Sequence, residues 1–217
     1  GSTAIAVNTK DVDPASIQSW SDLWKPEFAG KLMIMDDVRD IMAVGLTVAG
    51  FKDNTVNEDE IKAGFEALKQ LWPSIKVINS DSPKTPLIQG NASIGVMWNG
   101  EAYMAQQEMG TVEFIYPSDG AVLWVDSFVI PKGAANVENA HKFIDFMLRA
   151  ESAKAAIEEL GYAAPNTAAK ALLDDELKNN KMIFPDAEDI QRATIHQDLG
   201  ESVLVYEKYW ELLKAGK

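Results

Sequence analysis

Five side chains in this sequence have the chemistry to hold an organic cation. Asp37 and Asp40 lie close together in one acidic cluster, and Trp98, Trp124 and Asp126 follow further along the chain. Carboxylates pair with ammonium groups, and indole faces attract both cationic groups and the methylene stem between them. The combination therefore predicts a site for a slender polycation, and it favours a binding protein over a catalyst.

Composition narrows the class of protein. With 217 residues, of which 47% are hydrophobic and 24% charged, the chain can bury a sizeable core in one or two globular domains. The net charge of −13 argues against nucleic-acid partners, because phosphate recognition depends on Lys and Arg. The absence of cysteine excludes disulfides, thiolate metal sites and cysteine nucleophiles. The acidity fits solubility as well as a field that attracts cations.

Strand and helix patterns alternate along most of the chain and predict an α/β fold with a largely parallel sheet. Strands are predicted at residues 3–8, 31–35, 77–79, 94–98, 111–116 and 121–130. Helices are predicted at residues 38–49, 57–71, 86–89, 101–109, 137–150, 152–160, 167–179, 186–192 and 197–214. Because residues 3–8 read as a strand without a preceding turn or cap, and residues 1–7 do not form a signal peptide, we expect the chain to begin inside a fold.

The predicted strands also suggest where the cation-binding groups lie. In open α/β sheets, ligands bind beyond the carboxyl ends of the strands. Asp36 and Asp37 follow one strand, Trp98 ends another, and Asp126 lies within a long apolar segment. We therefore expect these groups to converge on one cleft.

Each of these residues also has a structural interpretation. Asp36 and Asp37 supply N-cap oxygens for the helix that follows, and Asp40 suits the first turn of a helix. Tryptophan at a strand end often packs in the core. Asp126 stands among apolar residues and needs a partner if buried, which an arginine, backbone amides or a cationic ligand could provide.

Several motifs in the chain resemble those of the spermidine/putrescine-binding proteins of bacterial ABC transporters. The most specific are Asp-Asp-x-Arg-Asp at residues 36–40, Trp-Asn-Gly at 98–100 and Trp-x-Asp-Ser at 124–127. Residues 19–31, 161–166 and 206–217 extend the resemblance over essentially the whole chain. A Leu-Trp-x-Pro-x-x-x-Gly stretch at residues 23–30 is shared more widely among two-lobed binding proteins.

The resemblance implies a type II periplasmic-binding-protein fold, in which crossing hinge strands join two α/β lobes. It implies one complete lobe here and part of the other. Residues 1–124 and 166–217 then form the second lobe, and residues 125–165 form a returning segment of the first lobe. Apolar side chains of this segment would be exposed, and we expect self-association or association with another chain. These side chains are Phe143, Ile144, Phe146, Met147 and Ile157.

The resemblance also implies a set of ligand contacts and no cofactor or metal. Ligand-contacting positions of the family are matched by Asp37, Asp40, Trp98, Trp124, Asp126 and Tyr162. A glutamine is expected near the end of this set, and either His196 or Gln197 takes its place. The position of Asp40 is often glutamate in relatives, so the choice among polyamines stays open.

The function implied is the capture of a protonated polyamine in the periplasm and its delivery to the permease of an ABC transporter. The alternative is a sensory module whose closed lobes dock on a membrane receptor. An enzyme is disfavoured, because the nucleophile-elbow, dinucleotide, phosphate-loop and zinc-protease motifs are missing from the sequence. A ferric-ion binder would need converging tyrosines, whereas Tyr206 and Tyr209 have the spacing of residues that pack one face of a helix.

Overall fold

The computed structural model describes residues 1–216, which form an α/β structure on one mixed sheet of seven strands. The strand order is β3-β2-β4-β1-β6-β7, and β5 also pairs with β1. The strands are β1 (Ser2–Asn8), β2 (Leu32–Ile34), β3 (Ile75–Ile78), β4 (Ile94–Trp98), β5 (Val112–Ile115), β6 (Val122–Leu123) and β7 (Thr194–Ile195). The first strand is thus the central one.

Ten α-helices are found in the described part of the chain, and short 3₁₀ turns connect some of them to the strands. The helices are α1 (Val38–Val48), α2 (Glu58–Leu71), α3 (Thr85–Ile88), α4 (Asn99–Met109), α5 (Val137–Met147), α6 (Ala150–Leu160), α7 (Thr167–Leu172), α8 (Asp175–Lys178), α9 (Ala187–Arg192) and α10 (Val203–Lys214).

The central strand β1 is buried along its whole length and separates two hydrophobic cores. Alternate side chains of a strand point to opposite faces of the sheet. Ile5 and Val7 pack with α1, α2 and α10 in one core. Ala6 belongs to the other core, which includes residues of α4, α6 and α7.

The expected α/β class is confirmed, but the expectation of a largely parallel sheet is wrong. β1 runs antiparallel to β4, β5 and β6, and only the pairs β2–β3, β2–β4 and β6–β7 are parallel. A strand buried on both faces is a continuous apolar run whichever way its neighbours run. The sequence pattern therefore identifies such a strand without giving its direction.

The six strands other than β1 have their carboxyl ends at one edge of the sheet, and these include β2, β4, β6 and β7. β2, β4, β6 and β7 point the same way, and β1 runs opposite to them, so that its first residues lie at that same edge. Thr3 pairs with Trp98 on one side of β1 and with Val122 on the other. The residues that follow the four strands therefore meet at this edge.

Most predicted elements are confirmed, and the errors fall on short or unpaired segments. The predicted strand at residues 121–130 is wrong beyond Leu123, because the segment that follows has no ladder partner among residues 1–216. The predicted helix at residues 167–179 is divided into α7 and α8. β7 was not predicted, since a strand of two residues leaves no periodic pattern.

The returning segment is exposed in part. Phe143 and Phe146 of α5 are about half exposed, with 52% and 49% of their surface accessible, as the sequence predicted. Ile144 and Met147 are partly covered. The predicted exposure of Ile157 is wrong, because α6 packs against α4 and α7 and buries this side chain.

No helix within residues 1–216 is both long enough and apolar enough to cross a membrane.

A close approach of α1 to α2 generates a prediction about stability. A Cβ atom at Gly45 would lie 2.5 Å from the carbonyl oxygen of Gly64 and 2.6 Å from Cγ of Leu68. Gly45→Ala improves helix propensity, but the overlap forces the helices apart. We expect a net loss of about 1 to 3 kcal/mol in the free energy of unfolding, measured by urea denaturation.

The matched control is Asn139→Ala on exposed α5, which gives a helix a better residue without a clash and should leave stability equal or slightly higher. A stabilised Gly45→Ala variant would show that the two helices do not depend on this contact.

Candidate ligand-binding site

A crevice of about 500 Å³ lies at the edge where the four strands end. It is lined by Asp37, Arg39, Asp40, Trp98, Trp124, Asp126, Tyr162 and His196. Seven of the eight residues selected from the sequence therefore lie together, and the eighth, Gln197, lines a neighbouring surface pocket. Three carboxylates against one guanidinium and one imidazole make the lining predominantly anionic.

Asp37 is the N-cap of α1, and Asp36 is not. Oδ1 of Asp37 accepts hydrogen bonds from the backbone N–H groups of Arg39 (2.9 Å) and Asp40 (3.0 Å). Asp36 instead accepts from Nε1 of Trp210 (2.9 Å) and Nζ of Lys214 (3.3 Å), which tie α10 to the end of β2. The expected N-cap role of Asp36 is therefore corrected.

The environment of Asp37 favours a cationic partner. Burial and the negative charge of Asp40 raise the pKa of Asp37, although the backbone N–H groups act in the opposite direction. A cation bound in the crevice would offset both effects. Since the cap uses one oxygen, the other can accept a hydrogen bond from a ligand.

Asp40 is almost fully buried and has several internal partners. Its Oδ2 accepts from Oγ1 of Thr3 (2.8 Å) and from Nε1 of Trp98 (3.0 Å), and its Oδ1 is 2.9 Å from Nε2 of His196. These contacts use three of the roughly four acceptor positions of a carboxylate. Asp40 thus has little capacity left for a ligand amine.

Each residue of the Trp-Asn-Gly motif at residues 98–100 has a different structural role. Trp98 lines the crevice. Asn99 is buried, accepts from the backbone N–H of Ser2 (2.9 Å) and donates to the carbonyl of Gly161 (2.9 Å), so it anchors the residue before Tyr162. Gly100 leaves room for the Tyr162 ring, since a Cβ atom there would lie 2.3 Å from Cζ of that ring.

Trp124 and Tyr162 form an aromatic wall. Their ring centroids are 5.4 Å apart, and the planes are inclined at 63°, an edge-to-face contact. Burial, together with the negative charges of Glu101 and Asp126, raises the pKa of Tyr162, which keeps its hydroxyl protonated as a donor. The backbone of Trp124 is held by hydrogen bonds with Gly1, which continue the pairing of β6 with β1.

Asp126 lies on the irregular segment after β6 and is exposed. The cost of burying a carboxylate among apolar residues therefore does not arise, since residues 125–130 do not form a buried strand. With its side chain at the crevice, Asp126 is open to a ligand.

His196 lies between two buried carboxylates. Its Nε2 is 2.9 Å from Asp40, and its Nδ1 is 3.1 Å from Oδ2 of Asp53. Burial opposes the charged imidazolium, but the hydrogen bonds and charges of Asp40 and Asp53 prevail and raise the pKa of His196 to about 9. Because the imidazole separates the two carboxylates, these side chains do not converge on one point, and residues 1–216 contain no cluster of three or more such ligands arranged for a metal ion.

Gln197 contributes its backbone next to the crevice. Its N–H donates to Oδ1 of Asn54 (2.8 Å), and its carbonyl accepts from Arg39 (3.2 Å). Of the two residues between which the sequence could not choose, His196 is the one at the crevice.

Sequence reasoning missed Arg39, Asp53, Asn54 and Asn99. Two of these residues could have been selected from the sequence, since Arg39 and Asn99 belong to the motifs at residues 36–40 and 98–100. Asp53 and Asn54 lie in a loop without a motif, and only the fold brings them to His196.

Comparisons with known proteins identify the family of the chain. Residues 1–185 match the family model described as bacterial extracellular solute-binding protein. The chain belongs to this family. Membership of a solute-binding family confirms the expectation of a binding protein rather than an enzyme.

Similar members of the solute-binding family carry polyamine names. The spermidine/putrescine-binding periplasmic protein of Escherichia coli is 42% identical over all 217 residues, and that of Haemophilus influenzae is 36% identical. The chain spans 62% and 60% of their lengths. These relatives bear out the resemblance drawn from the motifs.

Solved structures of the family superimpose closely. A Listeria monocytogenes protein described as a spermidine/putrescine ABC transporter gives a TM-score of 0.94 at 31% identity. The spermidine/putrescine substrate-binding protein PotD of Streptococcus pneumoniae gives 0.85 at 32%. Both matches cover this whole chain and 67% of the other. The periplasmic-binding-protein fold is therefore confirmed.

The position of His196 generates a pH prediction. The folded state raises its pKa from 6.5 to about 9, so the stabilisation is fully present below pH 6.5 and is lost as the pH rises through about 9. We expect its contribution of about 2 to 3 kcal/mol to the free energy of unfolding to disappear over this range. Urea denaturation at several pH values measures it.

His196→Gln should remove this pH dependence, whereas His141→Gln on exposed α5 should retain it. An unchanged slope in His196→Gln would mean that another group titrates.

Proposed function

We propose that this chain is the polyamine-capturing part of a periplasmic substrate-binding component of a bacterial ABC transporter. The observation that carries the proposal is the crevice, which combines accessible carboxylates of Asp37 and Asp126 with the rings of Trp98, Trp124 and Tyr162. The polyamine names of the relatives support the same ligand class. The partners would be the polyamine and the permease subunits that receive it.

Capture requires recognition of charge and of a thin apolar stem. Asp37 and Asp126 would each accept hydrogen bonds from a protonated amine, while the indole rings of Trp98 and Trp124 flank the methylene groups. The hydroxyl of Tyr162 would add a polar contact. A ligand that left either carboxylate unpaired after desolvation would bind poorly, which selects for amines of matching spacing.

The domain division is also proposed. Residues 1–124 and 166–217 would form the second lobe, residues 125–165 would belong to the first lobe, and the two lobes would close over the ligand. Exposed apolar side chains at 125–148 support this assignment, because such a surface is normally covered by another part of a protein. α6 would connect the two, since it packs on α4 and α7.

Binding is tested by titrating the chain with putrescine and spermidine, using tryptophan fluorescence and NMR, which detect weak complexes. Asp126→Ala should abolish most of the affinity, and Trp124→Ala should weaken it by about 1 to 2 kcal/mol, the energy of an indole facing a desolvated cation. Asp59→Ala, at an exposed acid on α2, is the matched control for charge. A wild-type chain that binds neither amine at low salt would contradict the proposed function.

The exposed apolar surface generates a prediction about self-association. We define the apolar face by four side chains that are each at least half exposed: Val125, Phe128, Val129 and Phe143. Phe128 and Phe143 touch in an edge-to-face contact, with centroids 5.5 Å apart. We expect concentration-dependent oligomers in sedimentation velocity, which the pair Phe128→Ser and Phe143→Ser reduces.

Leu204→Ser on α10 is the control, since Leu204 is 63% exposed and lies outside the apolar face. A wild-type chain that stays monomeric up to high concentration would exclude association through this face.

A further inference from the structure

Asp53 is a buried carboxylate outside the lining of the crevice, and the proposed function gives it no role. Only 1% of its side chain is exposed. Its Oδ1 accepts from the backbone N–H of Asn54 (2.7 Å), and its Oδ2 is 3.1 Å from Nδ1 of His196. A carboxylate is costly to bury without partners, and His196 is the partner that offsets this cost for Asp53.

Hydrogen bonds continue from Asp53 into the crevice. His196 reaches Asp40 through its other ring nitrogen at 2.9 Å, and the same carboxylate accepts from Nε1 of Trp98 at 3.0 Å. We call this series, from Asp53 through His196 and Asp40 to Trp98, the relay. It is unbroken, and it ends on an indole ring that lines the candidate site.

The loop that carries Asp53 is itself fixed. Asn54 has φ +67°, the only positive φ of a non-glycine residue among those described, and asparagine tolerates this conformation better than most residues. Its Oδ1 accepts from Arg39 (2.8 Å) and from the backbone N–H of Gln197 (2.8 Å), and its Nδ2 donates to the carbonyl of Ile195 (3.0 Å). The loop is thereby held to both sides of His196.

We propose that Asp53 is a positioning residue of the binding site, which acts through His196 and Asp40 to fix the orientation of the Trp98 ring toward the bound amine. This inference rests on the proposed function for the identity of the ligand, but the relay itself can be measured without ligand. It also implies that Asp40 mainly holds Trp98 and His196 in place and does not itself bind the amine.

The charges around His196 explain why Asp53 matters. The imidazole is faced by Asp40 and Asp37 of α1, by Asp53 of the loop and by Arg39, whose guanidinium nitrogen lies 3.4 Å from Nδ1. Asp126 lines the same crevice. Without Asp53, the imidazolium loses one of its two direct anionic partners and stays beside Arg39, so the charged form of His196 is less favoured and its ion pair with Asp40 weakens.

The first test follows NMR signals of the ligand-free chain. In the wild type, the Nε1–H signal of Trp98, assigned with Trp98→Phe, should shift with the same pH midpoint as the His196 ring signal, near 9. Asp53→Ala should shift the Trp98 signal, and Asp59→Ala should not. Asp53→Asn can still pair with a neutral imidazole, so it should lower the His196 midpoint while restoring the Trp98 signal.

The second test is a double-mutant cycle with putrescine. Asp53→Ala should weaken binding by about 5- to 10-fold, the net effect of one typical hydrogen bond, and should cause no further loss in a Trp98→Phe background. Effects that multiply would overturn the inference, as would a Trp98 signal that is unchanged in folded Asp53→Ala.

The two proposals fail in different ways. If Asp53→Ala does not fold, the wild-type titration and Asp53→Asn still decide the inference, because separate midpoints for His196 and Trp98 contradict the relay. If the wild-type chain binds no polyamine while the NMR signals behave as expected, the ligand is wrong and the relay stands.

Discussion

A single buried carboxylate, that of Asp40, connects the parts of this structure that form the crevice. It accepts hydrogen bonds from Thr3 at the start of β1 and from Trp98 at the end of β4, and it pairs with His196 after β7. A buried charge without partners would be strongly destabilising, so these segments are held in register by the need to satisfy it. The same contacts keep an indole ring at the crevice.

The strand directions of the sheet allow these segments to meet. Because β2, β4, β6 and β7 share one direction, the residues after each strand arrive at one edge, where α1 also presents its N-terminus. The antiparallel β1 brings its own first residues there. Gly100 also contributes, because its lack of a side chain leaves room for the Tyr162 ring. The ligand groups therefore come from five distant parts of the sequence and meet at one edge of the sheet.

Sequence reasoning succeeded where a signal was periodic or chemically specific. The strand at 94–98 and the helices beginning near 38 and 57 followed from apolar spacing and caps. The convergence of Asp37 and Trp98 followed from their places at the ends of strands, whereas Trp124 was assigned to the site by the resemblance. It failed where the information is not local. The direction of β1, the loss of strand structure after Leu123 and the pairing of Asp53 with His196 all depend on neighbours that are distant in the sequence.

The central position of β1 has a consequence for folding. Thr3 finds its partners only at Trp98 and Val122, so the sheet cannot close around its first strand until both later strands are present. Contacts of such long sequence separation form slowly, because the entropy of a large loop is lost before they stabilise the chain. During this interval a strand that is buried along its whole length in the folded sheet stays exposed, and its apolar middle, residues 4–7, is a segment that a chaperone for unfolded chains would bind.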